Sequence, residues 1–388
     1  MSVLSKPYFH DEAAAFAFVE GIIWGADPVC PHCGVVGRAY ALKNVRSKPS
    51  KKNPEGVVRH GLKKCGACRG QFTVRKGTIF EESHLEMHKW LQAIYLMCSS
   101  KKGISALQLQ RTLEVQYKTA WFLAHRIREA MRSGDLAPFG MNGETVEVDE
   151  TFLGVDPDAP APTTKTMRST MHQMMKVVSL VERETGRARS FVVDRYTVAD
   201  IVPIVEANLS YEAHLRTDES RLYKAMGEYY ASHETTTHSK GEYVRLSDRT
   251  VHTNTVEGYF SIFKRGMKGV YQHCSKKHLH RYLAEFDFRY SNRSATGCED
   301  QERALRAVLG GIGKRLTYRR PNLGTEAAAY WQAAGRSLAD EAASGEARIK
   351  RHAAKAVASL ACASASVGAV TPICTTSLAP DRASQPPH

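Results

Sequence analysis

The chain has 388 residues, which is enough for two or three domains. Its 54 Lys and Arg exceed its 40 Asp and Glu, giving a net charge of +14, so we expect a polyanionic partner, nucleic acid first. No apolar run approaches the roughly 20 residues that span a bilayer, and the N-terminus lacks the apolar core of a signal peptide. We therefore expect a cytoplasmic protein with no membrane partner, in which the cysteines are not expected to form a disulfide framework.

Four of the nine cysteines form two CxxC pairs that predict a zinc site. Each pair supplies two thiolates from one tight turn, and two pairs complete a tetrahedral shell. The long segment between the pairs fits a zinc ribbon with an extended basic hairpin at 43–64. The alternatives are four unrelated thiols or a redox CxxC, and the matched spacing favours zinc. The predicted zinc ligands are Cys30, Cys33, Cys65 and Cys68.

The next segment has helical periodicity, which predicts three helices at 85–97, 105–113 and 117–132. A short helix, a tight turn near Glu114 and a longer basic helix are the plan of a helix-turn-helix. In the third helix an apolar stripe would face the core and the basic residues would face outward. A packing module with a solvated basic face is the alternative. The residues expected to contact DNA from this helix are Lys118, Arg128 and Arg132.

Strands and a helix then alternate, which predicts a mixed α/β sheet. The predicted strands are Val146–Asp149, Lys176–Val181, Arg189–Asp194 and His214–Thr217. A helix at 198–209 separates the last two strands, with Pro203 in or near its first turn. The Pro- and Thr-rich loop at 156–171 is expected to be mobile.

Four polar residues of this region form the candidate catalytic site. Asp149 closes the first strand and Asp218 directly follows the last one. Glu257 and Lys264 lie about two helical turns apart, so both side chains leave the same helix face. Carboxylates that converge from two strands and a helix can hold two divalent ions, and a lysine beside them can bind phosphate. This combination is typical of proteins that cut and join DNA.

The third acidic position is open to two interpretations. The segment Asn254-Thr255-Val256-Glu257 resembles a helix capping box, with Asn254 as N-cap and Glu257 at the third helical position. Asn254 is therefore the alternative metal ligand. The residues expected to contact DNA phosphates from this helix are Lys264, Arg265 and Lys268.

Several of these segments, in this order, resemble the ISXO-like zinc-ribbon DDE transposases of bacterial insertion sequences. They are Cys30–Gly34, Cys65–Cys68, Phe72–Phe80, Val148–Phe152, His252–Glu257, Lys264–Gly266, Gly269–Tyr271, Lys277–Leu279, Glu285–Phe286 and Arg289–Tyr290. The resemblance implies a ribonuclease-H-like catalytic fold, two Mg²⁺ (or Mn²⁺) ions, and DNA cleavage and strand transfer at terminal inverted repeats. The partner would be double-stranded DNA, bound by a homo-oligomer. Carried over by position, Asp149 and Asp218 are metal ligands, Glu257 or Asn254 is the third, and Lys264 is the family's lysine.

We predict four parts of the chain: a zinc ribbon at 1–82, a helix-turn-helix-like module at 83–138, a ribonuclease-H-like DDE domain at 139–320, and a partly disordered Ala/Ser-rich tail at 321–388. Two other functions compete with an active transposase. One is a DNA-binding regulator with a decayed catalytic domain, and the other is a ribonuclease-H-like nuclease without strand transfer.

Overall fold

The computed structural model describes residues 2–317, except 52, 135–136, 157–158, 160–169, 225, 238–243 and 246. Most of the loop predicted to be mobile, and the whole predicted tail, lie outside the described residues. The helices are α1 (Glu12–Trp24), α2 (Met87–Ser99), α3 (Ala106–Leu113), α4 (Tyr117–Met131), α5 (Val198–Asn208), α6 (Arg221–Lys224), α7 (Asn254–Gly266), α8 (Lys276–Ser291) and α9 (Asp300–Leu309). The strands are β1 (Ala39–Ala41), β2 (Lys63–Cys65), β3 (Gln71–Phe72), β4 (Thr145–Val155), β5 (Met174–Glu182), β6 (Ala188–Val193), β7 (His214–Asp218) and β8 (Ser232–Thr236).

The N-terminal strands form a small antiparallel sheet in the order β1-β2-β3. Ala39 lies opposite Cys65, so the sheet brings the second cysteine pair toward the chain that leaves the first. An isolated bridge between Arg46 and Val58 continues the pairing into the predicted basic hairpin. This is the geometry of a ribbon whose two arms end at a metal site.

The helical region has the three predicted helices, α2 to α4. Ser105 caps α3 in a full capping box with Gln108, and Glu114 ends it in the left-handed conformation with φ 53°. The apolar stripe of α4 packs into a core shared with α1, α2 and α3. α9 packs against α2 in the same core. This core therefore contains helices that precede the large sheet along the chain and one that follows it.

The large sheet is mixed and has the strand order β6-β5-β4-β7-β8. β4, β5 and β6 are antiparallel neighbours, whereas β4, β7 and β8 are parallel. Val146 and Val148 of β4 pack on one face with α5, and α7 and α8 cover the opposite face. Because strand side chains alternate, Glu147 and Asp149 share the face that α7 covers. Val256, Phe260 and Phe263 of α7 are buried there, together with Met267 just after the helix.

Three details of the sheet region differ from the sequence prediction. Pro203 lies inside α5, beyond its first turn. β4 continues to Val155, well past the predicted end at Asp149. β8 was not predicted, because its sequence Ser-His-Glu-Thr-Thr has no apolar alternation and only Thr236 is buried.

Candidate catalytic centre, zinc site and basic surfaces

The strand register explains why two distant aspartates meet. β4 and β7 are parallel neighbours, and Glu147 lies opposite Arg216. Two residues further along each strand are Asp149 and Asp218, so both carboxylates come to the same place on the sheet. Asp218 is the last residue of β7, whereas Asp149 lies in the middle of β4, two residues beyond the last residue that pairs with β7.

The structure adds Glu150, which sequence reasoning missed, to the two aspartates. One carboxylate oxygen of each of Asp149, Glu150 and Asp218 lies within 4.8 Å of the others. Both Glu150 oxygens accept hydrogen bonds from tyrosines: the Tyr196 hydroxyl donates to Oε1 and the Tyr223 hydroxyl donates to Oε2 at 2.7 Å. The sequence signal was the Asp-Glu pair itself, but alternation along a strand predicts opposite faces for neighbours and so argued against it.

The start of α7 corrects the capping-box interpretation. The N-cap is Thr253, not Asn254, and it makes no side-chain cap bond. Glu257 therefore lies one position beyond the capping-box site, and the Thr253 hydroxyl donates to its Oε1 at 3.3 Å. The first-turn N–H groups of Thr255 and Val256 instead donate to Glu147. Asn254 is exposed on the first turn of α7.

Burial and mutual repulsion raise the pKa values of two carboxyl groups in the acidic group. Burial raises the pKa of Asp149 well above its usual range, and the charge of Glu150 raises it further. The charges of Asp218 and Glu257 act on the same carboxyl group in the same direction. Burial also raises the pKa of Glu150, against the effect of its tyrosine donors. Glu257 is thus close enough to act on Asp149, although among the described residues it lies outside the 4.8 Å group.

The donors present fit a divalent cation. Mg²⁺ and Mn²⁺ take carboxylate oxygens as ligands, and converging carboxylates are the usual anchor of such ions. Half-buried like charges that lie this close also need a counter-charge, which a cation between Asp149 and Asp218 would supply. Both the donor set and the raised pKa values of this centre therefore favour a bound cation.

The predicted phosphate-binding residues lie further along α7 and just beyond its end. Lys264 is half-buried, while Arg265 and Lys268 are exposed. The Arg265 guanidinium donates to the backbone oxygen of Ser261 at 3.0 Å and to its hydroxyl at 2.8 Å, which orders the side chain on the surface. Lys264 and Arg265 follow Glu257 along α7, and Lys268 lies in the π-helical turn that continues it, so these cations extend from the acidic group over about three turns.

The four predicted zinc ligands come together. The sulfurs of Cys30, Cys33, Cys65 and Cys68 all lie within 4.8 Å of one another, and two pairs approach to 3.7 Å. Within this cluster the backbone N–H of Cys68 lowers the pKa of the Cys65 thiol, whereas burial raises the pKa of the Cys30 thiol. Four clustered thiolates form a complete tetrahedral shell for zinc.

Arg128 was wrongly predicted to contact DNA, because α8 covers that face of α4. Its side chain is 3% exposed and its Nε donates to Glu285 Oε2 at 2.7 Å. The guanidinium also lies over the Tyr282 ring, with its Cζ 4.1 Å from the centroid. His125 and Glu129 of the same helix are buried as well. Arg128 is therefore a packing residue between two helices.

The exposed cations of α4 lie at its two ends. Lys118 is exposed in the first turn, next to Tyr117, which is 47% exposed. Arg132, at the C-cap, is exposed and pairs with Glu129 at 2.5 Å. The first turn is the part of a recognition helix that enters a DNA groove in helix-turn-helix proteins.

Among the described residues, no helix combines the length and the apolar character needed to cross a membrane.

The fold and the acidic group define the class of the protein: a ribonuclease-H-like DDE domain that follows a zinc ribbon. Residues 141–291 match the family model of the ISXO2-like transposase domain, and residues 10–71 match that of the transposase zinc-ribbon domain. The two matches together span more than half of the chain, which belongs to this family of insertion-sequence transposases.

Two further proteins are similar to the chain. One, from Halobacterium salinarum, is described as an uncharacterized protein in transposable element ISH50; it is 26% identical over 317 residues, which cover 78% of this chain and 97% of the relative. The other is a chain in the cryo-EM structure of the simian T-cell lymphotropic virus intasome in complex with PP2A regulatory subunit B56 gamma. It is 12% identical, the match covers 45% of this chain and 63% of that one, and the TM-score is 0.23. At that score the likeness supports no argument.

Proposed function

We propose that this transposase is an active, metal-dependent polynucleotidyl transferase that cuts DNA at the terminal inverted repeats of its own element and joins the freed ends to target DNA. The observation that carries this proposal is the meeting of Asp149 and Asp218 on adjacent parallel strands, with Glu150 beside them. A decayed catalytic domain would have no reason to retain half-buried, mutually repelling carboxylates, which cost stability in the absence of a cation.

Asp149 and Asp218 would hold the divalent ions, and α7 would supply a third ligand. Glu257 is supported by its effect on the pKa of Asp149 and by its position outside any capping box. Asn254, exposed on the first turn of the same helix, is the alternative. Mg²⁺ or Mn²⁺ bound there would supply an activated water and a stabilised leaving oxygen for in-line displacement at phosphorus.

The cations of α7 would hold the DNA strand beside the acidic group. Lys264 would contact the phosphate nearest the reaction, and Arg265 and Lys268 would contact the adjoining backbone. The first turn of α4, with Lys118, would bind the element end, with Arg132 at the other end of the helix giving a further phosphate contact. The predicted division into domains at 82, 138 and 320 remains part of this proposal.

Cleavage of DNA that carries the element's own ends tests the proposal. Mg²⁺-dependent cutting by the wild type should be lost in Asp149→Ala and Asp218→Ala, with binding of end DNA largely retained. Loss in only one of Asn254→Ala and Glu257→Ala would identify the third ligand. If the wild type binds the ends but never cuts them, the protein is a regulator; if it cuts without joining strands, it is a nuclease.

Assembly on DNA is the second part of the test. Two element ends have to be cut and joined together, so we propose that the protein forms a homo-oligomer on end DNA. Light scattering of the complex should give at least two chains per pair of ends. A single chain on each end under cleavage conditions would contradict this part of the proposal.

A further inference from the structure

The N-terminus of α7 depends on a side chain from another element. Thr253, the N-cap residue, makes no side-chain cap bond. Glu147 of β4 takes over this role: its Oε2 accepts from the N–H of Thr255 at 2.8 Å and from the N–H of Val256 at 2.9 Å. Glu147 is fully buried. A carboxylate at this position satisfies two otherwise unpaired donors and interacts favourably with the helix dipole.

Arg183, just after β5, completes the arrangement from the other side. Its Nε donates to the second oxygen of Glu147, Oε1, at 2.5 Å. Its two remaining nitrogens donate to backbone carbonyls of the segment that leads into α7, to Thr250 at 2.6 Å and to His252 at 2.5 Å. We call Glu147 and Arg183 the α7 clamp. Together they fix the chain immediately before α7 and the first turn of the helix itself.

The α7 clamp joins the two elements that carry the proposed metal ligands. Glu147 lies two residues before Asp149 on the same face of β4. Its hydrogen bonds end at Thr255 and Val256, which lie between Asn254 and Glu257 on α7. A shift of the start of α7 would therefore change the distance between Asp149 and either candidate for the third ligand.

We propose that Glu147 and Arg183 are positioning residues of the catalytic centre, which hold the third ligand on α7 at the distance from Asp149 that divalent-ion binding needs. This inference rests on the proposed function of that centre. It goes beyond stability, because partners of metal ligands that fix their orientation typically change metal affinity 10- to 100-fold when they are substituted.

Glu147→Gln is the substitution that tests the α7 clamp most directly. Glu147 uses one oxygen for the α7 amides and the other for Arg183, whereas the amide of glutamine has a single acceptor oxygen. Gln at this position can satisfy one side of the clamp only. Glu182→Gln is the matched control, since Glu182 is fully buried on the neighbouring strand, and its Oε1 accepts from the N–H of Gly140 at 2.8 Å, away from α7.

The experiment measures Mn²⁺ binding by calorimetry and by electron paramagnetic resonance, together with hydrogen exchange of the Thr255 and Val256 amides, in the full chain. We expect Glu147→Gln to bind Mn²⁺ about 10-fold more weakly, with faster exchange at both amides. Glu182→Gln should lose thermal stability without either change. Arg183→Lys, which keeps the charge but loses the guanidinium fork, should show the same two changes as Glu147→Gln. If Glu147→Gln does not fold, Mn²⁺ binding and amide exchange in Arg183→Lys test the proposal instead.

The outcomes separate this inference from the proposed function. If Asp149→Ala abolishes Mn²⁺ binding while Glu147→Gln and Arg183→Lys bind as the wild type does, the clamp serves stability only and the inference is overturned. If the wild type itself binds no Mn²⁺, or Asp149→Ala binds it unchanged, the proposed metal centre is wrong. The inference about Glu147 and Arg183 is then wrong as well.

Discussion

Arg128 and Lys118 both lie on α4, and their surroundings separate their roles. Arg128 lies between α4 and α8, paired with Glu285, which is itself fully buried. Lys118 is exposed in the first turn. A buried pair is costly to break because the remaining charge loses its partner, whereas an exposed lysine can be removed with little effect on the fold.

Arg128→Ala should therefore reduce the free energy of unfolding by about 3 kcal/mol, because Glu285 loses one of its two arginine partners. Lys118→Ala should leave stability unchanged but weaken binding to end DNA. The slope of the logarithm of the binding constant against the logarithm of the salt concentration should become shallower by about 1, the share of one phosphate contact. Urea unfolding and DNA titrations at several salt concentrations measure both. Normal stability in Arg128→Ala combined with weaker DNA binding would restore Arg128 as a DNA contact.

The acidic group makes a second prediction for single residues. The pKa of Asp149 is higher in the folded chain than in the unfolded one, so the folded state holds the proton better. Stability then falls as the pH rises from the usual pKa of an aspartate toward neutrality. A neutral side chain that keeps the hydrogen bond from the N–H of Glu150 removes this cost.

Asp149→Asn should therefore raise the free energy of unfolding at pH 7 by about 1 kcal/mol when a chelator is present, and should abolish cleavage. Added Mg²⁺ should raise the melting temperature of the wild type but not of the variant. Thermal unfolding with and without Mg²⁺ gives both values. A less stable Asp149→Asn in chelator would show that another charge already neutralises the group.

At the scale of elements, the part of the zinc ribbon that the structure describes has only a small apolar cluster around its cysteines. Its buried apolar cluster consists of Cys30, Cys65 and Phe72, with Trp24 and Ala39 packed around them. Two of these residues, Cys30 and Cys65, are predicted zinc ligands, so the apolar cluster and the predicted zinc site share most of their residues. Small domains of this kind take most of their stability from the metal.

Cys33→Ser should release zinc and unfold the ribbon, because three thiolates bind the ion far less tightly than four. Cys274→Ser is the control, since Cys274 lies outside the cysteine cluster and is only half-buried. Metal analysis should find one zinc per chain in the control and less in Cys33→Ser, whose ribbon amides should exchange faster. An unchanged zinc content in Cys33→Ser would exclude Cys33 as a ligand.

At the scale of the whole molecule, the helical core contains segments that precede the large sheet in the sequence and segments that follow it. α9 packs on α2, and α8 packs on α4. Helices that follow the large sheet in the sequence therefore pack against helices that precede it. Arg303 of α9 extends this connection: its Nη1 donates to the backbone oxygen of Cys98 in α2 at 2.8 Å. The helical region and the catalytic domain are therefore expected to unfold together.

A chain that ends at residue 299 tests this expectation. Loss of α9 exposes Leu91, Ile94 and neighbouring core residues, so the truncated chain should lose cooperative unfolding and bind an apolar dye. The full chain should unfold in one transition seen equally by circular dichroism and by tryptophan fluorescence. Two separate transitions in the full chain, with a stable truncated form, would show that the helical region folds independently.

The local patterns in the sequence were sufficient for most elements. The helices α2, α3 and α4 and the strands β5, β6 and β7 lie within a few residues of their predicted bounds, because apolar periodicity and turn residues specify them locally. The exceptions have physical causes. β8 is held by the register of β7 and not by its own composition, and β4 is longer because its outer half pairs with β5.

The sequence by itself indicated the chemistry of the chain: the four cysteines that cluster, the two aspartates that meet, the basic helix and the family they point to. Those features depend on residue type and spacing, which are visible along the chain. Only the tertiary structure decided which charges are accessible and which meet. The sheet register brings Glu150 into the acidic group, α8 buries Arg128, and Glu147 caps α7, because packing between elements distant in sequence sets each of these contacts.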